Sequence, residues 1–158
     1  MRTGGYVLAG LMAFSLTSFA IAQSDNLRST TGEQQYVPRL GDIMSNIQLR
    51  HIKLLFAGKA GNWQLAAYEL RQIKTGLAEA AVMYEGIPVS SVTTMTVPLD
   101  SLGDAITAKD GKRFAKLFDE LTVSCNGCHQ STDRGYIAIR VPTEQPFSNQ
   151  AFAPRAKP

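Results

Sequence analysis

Both cysteines of the chain lie in one five-residue run, Cys125-Asn126-Gly127-Cys128-His129. If this run is helical, residues three positions apart lie on adjacent turns of one face, so both thiols can reach the same partner. The imidazole of the next residue, His129, projects from the same turn. The spacing therefore predicts a site at which two thiols and one imidazole act on a single group.

The spacing Cys-x-x-Cys-His is the attachment signature of a c-type haem. The two thiols add to the vinyl groups of the haem and hold it through thioether bonds, while the imidazole is the proximal ligand of the iron. We therefore predict one covalent haem c that is bound through Cys125 and Cys128 and has His129 as an iron ligand.

Three other interpretations of the cysteine pair are weaker. A thioredoxin-like redox pair normally follows a strand and opens a helix, whereas this pair closes a helical stretch and no βαβ pattern surrounds it. A zinc site needs two further ligands, and only His51 is left as a strong one. A structural disulfide that spans only two intervening residues would be strained.

Residues 1–22 have the pattern of a cleaved signal peptide. Arg2 supplies a positive charge, an uncharged and mostly apolar stretch follows, and Ala20-Ile21-Ala22 offers the small residues that signal peptidase accepts. The apolar stretch is shorter than the about 20 residues that a membrane span needs. The alternative is an uncleaved N-terminal anchor. We expect cleavage after Ala22 and export to the periplasm, and bacteria attach c-type haem outside the cytoplasm.

Four stretches place apolar residues at intervals of three and four, which predicts four amphipathic helices. The first follows Pro38, the second is capped by Asn62, the third begins at Pro98 and the fourth is capped by Asp110. The first apolar stripe comprises Leu40, Ile43, Met44, Ile47, His51, Leu54 and Leu55, and the last comprises Phe114, Leu117, Phe118, Leu121, Cys125 and Cys128.

The other segments lack a helical period. Residues 23–37 are polar and are interpreted as a flexible leader, and residues 87–97 as a crossing loop. Residues 131–158 contain several prolines and are interpreted as an extended C-terminal tail. Four amphipathic helices with short or moderate connections indicate an all-α fold, an antiparallel four-helix bundle over residues 38–130.

Composition narrows the functional classes. Apolar residues make up 44% of the chain and charged residues 18%, which is ordinary for a globular domain. The net charge of +3 is too small to indicate a nucleic-acid partner. No second hydrophobic run is long enough to span a bilayer, so stable membrane insertion is not expected. No residue set suggests substrate turnover, so we do not expect an enzyme.

With an export signal, four predicted helices and Cys125-x-x-Cys128-His129 on the last helix, the sequence resembles the cytochrome c′ superfamily. The resemblance covers roughly residues 38–130 and implies a haem that packs inside or against the bundle. Six-coordinate members recruit a Met from the first helix and resemble electron carriers, whereas five-coordinate members leave the distal face open to small gases. Homodimers also occur in the family. The long tail departs from the family pattern.

The first helix supplies the candidates for a distal iron ligand. In an up-down-up-down bundle, the first helix starts at the end where the last helix finishes, so Met44 should lie near His129. His51 is on the same stripe, but about 10.5 Å further along the axis, and is the weaker candidate. Met83, Met95 and an open distal face are further alternatives. We predict Met44 as the distal ligand.

These inferences predict a periplasmic monohaem c-type cytochrome that carries one electron between redox partner proteins. The alternatives are a five-coordinate protein that binds NO or CO, and a haem-stabilised interaction subunit. A basic stripe on the last helix could steer an acidic redox partner, although such a stripe is usually only a solvated face. The stripe comprises Lys109, Lys112, Arg113 and Lys116.

Overall fold

The computed structural model describes residues 36–156, and the predicted signal peptide with most of the predicted leader lies outside this range. Five helices account for the regular structure of the described residues, which include no strand. They are α1 (Leu40–Lys59), α2 (Trp63–Met83), α3 (Val89–Thr94), α4 (Thr96–Thr107) and α5 (Gly111–Ser131). The predicted all-α class is confirmed.

The helix boundaries follow from local chemistry at the predicted places. The side chain of Asn62 accepts a hydrogen bond from the backbone N–H of Leu65 at the start of α2, at 3.2 Å. Asp110 does the same for Arg113 at the start of α5, at 3.0 Å. Each cap satisfies an N–H group that has no partner within its helix. Gly61, with a φ of 69°, takes the left-handed conformation that stops α1.

The four long helices bury their apolar stripes in a common core. Contacts are most extensive between α1 and α2 and between α4 and α5. Leu54, Leu102, Phe118 and Leu121 are fully buried at its centre. These positions belong to the periodic stripes, so hydrophobic periodicity correctly identified the inward face of each helix.

Two glycines allow α1 to approach its neighbours. A Cβ at Gly58 would lie 2.2 Å from the ring of Phe114 on α5, and one at Gly76 would lie 2.9 Å from Ile47. A glycine near the end of a helical stretch often marks where the helix stops, but Gly58 does not. Gly58 is buried within the helix, and the missing side chain makes room for an aromatic ring.

The prediction of a crossing loop at residues 87–97 is also wrong, because α3 and the first turn of α4 form there. Pro88 precedes α3 with a φ of −60°, so its backbone is already set for a helix to follow. The hydroxyl of Thr93 donates to the carbonyl of Val89 at 2.9 Å, which is compatible with the helix. Met95 joins the two helices and is buried, because its side chain reaches the core.

The segment that follows α5 has no regular structure up to residue 156, yet it is packed against the helices. Phe152 is buried, and its ring centroid lies 6.0 Å from that of Phe56 on α1. Val141 and Phe147 also contact the core. The tail is thus held by apolar anchors along its length.

The close approach at Gly58 can be tested by adding one methyl group. We expect Gly58→Ala to lower the free energy of unfolding by about 1–3 kcal/mol, because the Phe114 ring has to move. Gly103→Ala is the matched control, since its Cβ would make only an ordinary 3.5 Å contact inside a helix. The control should be neutral or stabilising by up to about 1 kcal/mol. Chemical denaturation measures both, and equal effects would contradict the packing described.

Candidate cofactor site

A cavity of about 220 Å³ lies between the beginning of α1, the end of α5 and the tail. All five site residues predicted from the sequence line it, namely Met44, His51, Cys125, Cys128 and His129. The remaining lining is largely aliphatic and includes Ile47, Leu77, Ile87, Val92, Ile137 and Ile139. The fold therefore gathers a thioether, two thiols and two imidazoles in an apolar environment.

The two cysteines are free thiols that reach the cavity from the last two turns of α5. Burial, with a smaller effect of the neighbouring Cys128, raises the pKa of the Cys125 thiol to about 11. Burial also raises the pKa of Cys128, against a weaker opposing effect of Arg134. Both groups are therefore protonated at neutral pH. A redox-active Cys-x-x-Cys pair needs a lowered pKa, so these surroundings do not favour thiol–disulfide exchange.

The imidazole of His129 is oriented by the tail. Its Nδ1 lies 2.7 Å from the carbonyl oxygen of Ile137. Because a carbonyl only accepts hydrogen bonds, Nδ1 must carry a proton, and in the neutral imidazole the lone pair is then on Nε2. Metal-binding histidines in proteins usually have this arrangement. The hydrogen bond at Nδ1 fixes the tautomer and raises the basicity of Nε2, which can then bind a metal.

Asn126 contributes a contact that sequence reasoning missed. Its side-chain amide donates to the carbonyl of Ile139 at 2.8 Å, and its oxygen accepts from the N–H of the same residue at 2.7 Å. The tail is therefore bonded to the helical turn that carries both cysteines. No sequence signal indicated this, because the middle residues of Cys-x-x-Cys-His are formally unrestricted.

The methionines differ in their position relative to the cavity. Met44 lines it from α1 and is partly buried. Met95 lines it as well, from the turn between α3 and α4, and is 2% exposed. Met83 is 41% exposed and is not among the residues that line the cavity. Met44 and Met95 are therefore the two thioethers that the fold brings to the site.

His51 is buried, and one of its nitrogens is already bonded. Its Nε2 lies 2.9 Å from the hydroxyl of Thr122, and that hydroxyl lies 2.9 Å from the carbonyl of Phe118. The hydroxyl proton goes to the carbonyl, so Nε2–H of His51 donates to Thr122. The ring also packs on Phe118, with centroids 4.4 Å apart. Burial lowers the pKa of His51 to about 4, which keeps the imidazole neutral.

Two basic side chains of α1 make their contacts away from the cavity. Arg50 donates to the buried carboxylate of Glu69 at 3.1 Å, so it stabilises the contact between α1 and α2. Lys53 lies over the ring of Phe147, 4.7 Å from its centroid. Among the described residues that line the cavity, Arg134 is the one arginine or lysine, and its guanidinium donates to the carbonyl of Thr132.

The basic stripe is exposed and lies at the other end of α5. Lys116 pairs with Glu120 at 3.7 Å, with both side chains largely in solvent. Cys128 is twelve residues further along the helix, which corresponds to about 18 Å at 1.5 Å per residue. The stripe is therefore a solvated face that is remote from the cavity.

Comparisons of the chain with protein-family models, with curated proteins and with solved structures find no match. Within residues 36–156, no group of three or more His, Cys, Asp or Glu side chains is arranged to hold a metal ion by itself. None of the helices in that range is long and apolar enough to cross a membrane.

The neutral state of His51 makes stability depend on pH. The unfolded chain binds a proton at this residue below about pH 6.5, whereas the folded chain does so only below about pH 4. We therefore expect the free energy of unfolding to fall as the pH drops from 6.5 to 4, by up to about 3 kcal/mol from this residue.

His51→Gln is the matched variant, because an amide can still donate to Thr122 but does not titrate in this range. Urea denaturation between pH 7.5 and 4 should give a shallower decline for the variant than for the wild type. Parallel declines would show that His51 is not the group responsible.

Proposed function

We propose that this chain is a periplasmic, monohaem c-type cytochrome with an antiparallel four-helix bundle, and that it carries one electron between redox partner proteins. The observation that carries the proposal is the shared cavity. Cys125, Cys128, His129 and Met44 all line one mostly aliphatic cavity, although they come from the first and last helices.

The side chains around the cavity match what a covalently bound haem requires. Cys125 and Cys128 would form the thioethers, and His129 would bind the iron on one side. The porphyrin supplies four nitrogens of its own, so a group of three or four protein ligands is not needed. We assign the second protein ligand to Met44, because it lines the cavity from nearer the beginning of α1 than His51 does.

The order of contacts along the helices supports the antiparallel arrangement. On α1 and α5, Gly58 faces Phe114 and His51 is bonded to Thr122. From the first pair to the second, the residue numbers decrease along α1 and increase along α5, so the two helices run in opposite directions. Continued toward the beginning of α1, this order brings Met44 to the end of α5, which agrees with the cavity lining.

The chemistry divides between the cofactor and the protein. When bound, the haem supplies a one-electron couple at its iron, and a thioether ligand favours the reduced form. The protein holds its ligands in place by packing: His129 is oriented by the Ile137 carbonyl, and Met44 projects from a helix in the core. Ligands fixed in this way suit electron transfer, because little has to rearrange when the charge changes.

Covalent attachment is the first test. Mature protein from a host that attaches c-type haem should retain haem after denaturation, on a gel and in a pyridine haemochrome assay. Cys125→Ala and Cys128→Ala should each reduce the haem content severely, because each removes one thioether. Ser124→Ala is the control, since its hydroxyl bonds only to the Glu120 carbonyl within α5. Wild-type protein without covalent haem would overturn the proposal.

The distal ligand decides between an electron carrier and a gas-binding protein. We expect a low-spin ferric spectrum for the wild type. Met44→Ala should convert it to a high-spin or water-ligated spectrum, allow CO to bind and lower the reduction potential, because the ligand that favours Fe(II) is lost.

Two variants control for the loss of a methionine elsewhere. Met95→Ala removes the other thioether that lines the cavity, and Met83→Ala removes an exposed one, and both should remain low-spin. Loss of the low-spin form in Met95→Ala or His51→Gln would assign the distal ligand to that residue instead. A wild type that is already high-spin and binds CO would replace the carrier by a five-coordinate gas-binding protein.

A further inference from the structure

The first part of the tail is tied to the end of α5 by a continuous set of hydrogen bonds. The N–H of Arg134 donates to the carbonyl of His129 at 2.7 Å, and the N–H of Ile137 donates to the carbonyl of Arg134 at 2.8 Å. Two residues later, Ile139 exchanges both of its backbone groups with the side chain of Asn126. The chain thus leaves the helix, turns back and is fastened to the same helix one turn earlier.

This fastening determines where the Ile137 carbonyl lies. That carbonyl is the acceptor for Nδ1 of His129, and it stands between two fixed points, the turn at Arg134 and the pair of bonds at Asn126. Asn126 precedes His129 by three residues, so both side chains leave the same face of α5 and meet the same strip of tail. The side chains of Ile137 and Ile139 also line the cavity.

We propose that Asn126 is a positioning residue for His129. By holding Ile139, it keeps the Ile137 carbonyl against Nδ1 and so fixes the tautomer and orientation that leave Nε2 facing the cavity. The tail segment 134–139 is accordingly part of the cofactor site and forms one of its walls. The role toward iron rests on the function proposed above, whereas the hydrogen-bonded arrangement does not.

The position of the Ile137 carbonyl affects how strongly His129 donates electrons to a metal. A carbonyl that accepts the Nδ1 proton makes the imidazole a stronger electron donor through Nε2, which stabilises the oxidised metal. If the Asn126 bonds are lost, the carbonyl is free to move away and the imidazole becomes a weaker donor. The reduction potential of a bound haem should then rise.

Asn126→Ala is the decisive variant, because it removes both bonds to Ile139. The tail should stay attached, since Phe152 anchors it in the core independently. Asn126→Asp is the partial replacement: its carboxylate still accepts from the Ile139 N–H but cannot donate to the carbonyl. Ser124→Ala is the control on the same helix, because its hydroxyl does not reach the tail.

Two proton-exchange rates report on the arrangement in the mature protein, measured by NMR. In Asn126→Ala, we expect the Ile139 amide and the Nδ1 proton of His129 each to exchange about tenfold faster than in the wild type, as loss of one hydrogen bond implies. Asn126→Asp should be intermediate and Ser124→Ala unchanged. In haem-loaded protein, the potential should rise in the same order.

The two exchange rates and the haem content together show which part of the proposal is wrong if an expected result does not appear. If the Ile139 amide exchanges faster but the His129 proton and the potential do not change, Asn126 only fastens the tail, and the positioning role is wrong. If neither exchange rate changes, the hydrogen-bonded arrangement is wrong. If the wild type carries no haem but both rates respond, the proposed function fails while the positioning of His129 stands.

Discussion

The structure depends on the way α1 and α5 run alongside each other. At one end they are drawn together, because Gly58 presents no side chain and the ring of Phe114 packs directly on the helix backbone. At the other end, the large residues of α1 and the cysteines of α5 line a cavity rather than a closed core. Tight packing at Gly58 and an open space near Met44 belong to the same helix pair.

The cavity is built from three parts of the chain with different tasks. The helix α5 presents two thiols and an imidazole from its last two turns, and α1 presents a thioether and the neutral His51. The tail contributes two isoleucine side chains and a carbonyl that accepts from His129. A segment without regular structure therefore orients a side chain of the cofactor site, because it brings a backbone carbonyl to His129 from outside α5.

The buried polar side chains of α1 and α2 have hydrogen-bond partners. The imidazole of His51 gives its proton to Thr122, and the carboxylate of Glu69 accepts from Arg50 on the far side of α1. In the described residues, no buried side-chain nitrogen or oxygen lacks a partner. These hydrogen bonds avoid the cost of burying unpaired polar groups beside the mostly aliphatic cavity.

The sequence by itself determined the all-α class and much of the inward face of the long helices, and it singled out Cys125, Cys128 and His129 as a candidate site, because periodicity, caps and motif spacing are local properties. Only the tertiary structure decided what depends on distant segments meeting. That includes the helix at residues 89–94, which forms from Val, Ser and Thr residues of low helix propensity and packs on the core through Val92. It also includes the burial of Met95 and the role of Gly58 opposite Phe114. It also includes the bonds from Asn126 to the tail, since thirteen residues separate the partners and no short-range pattern encodes that distance.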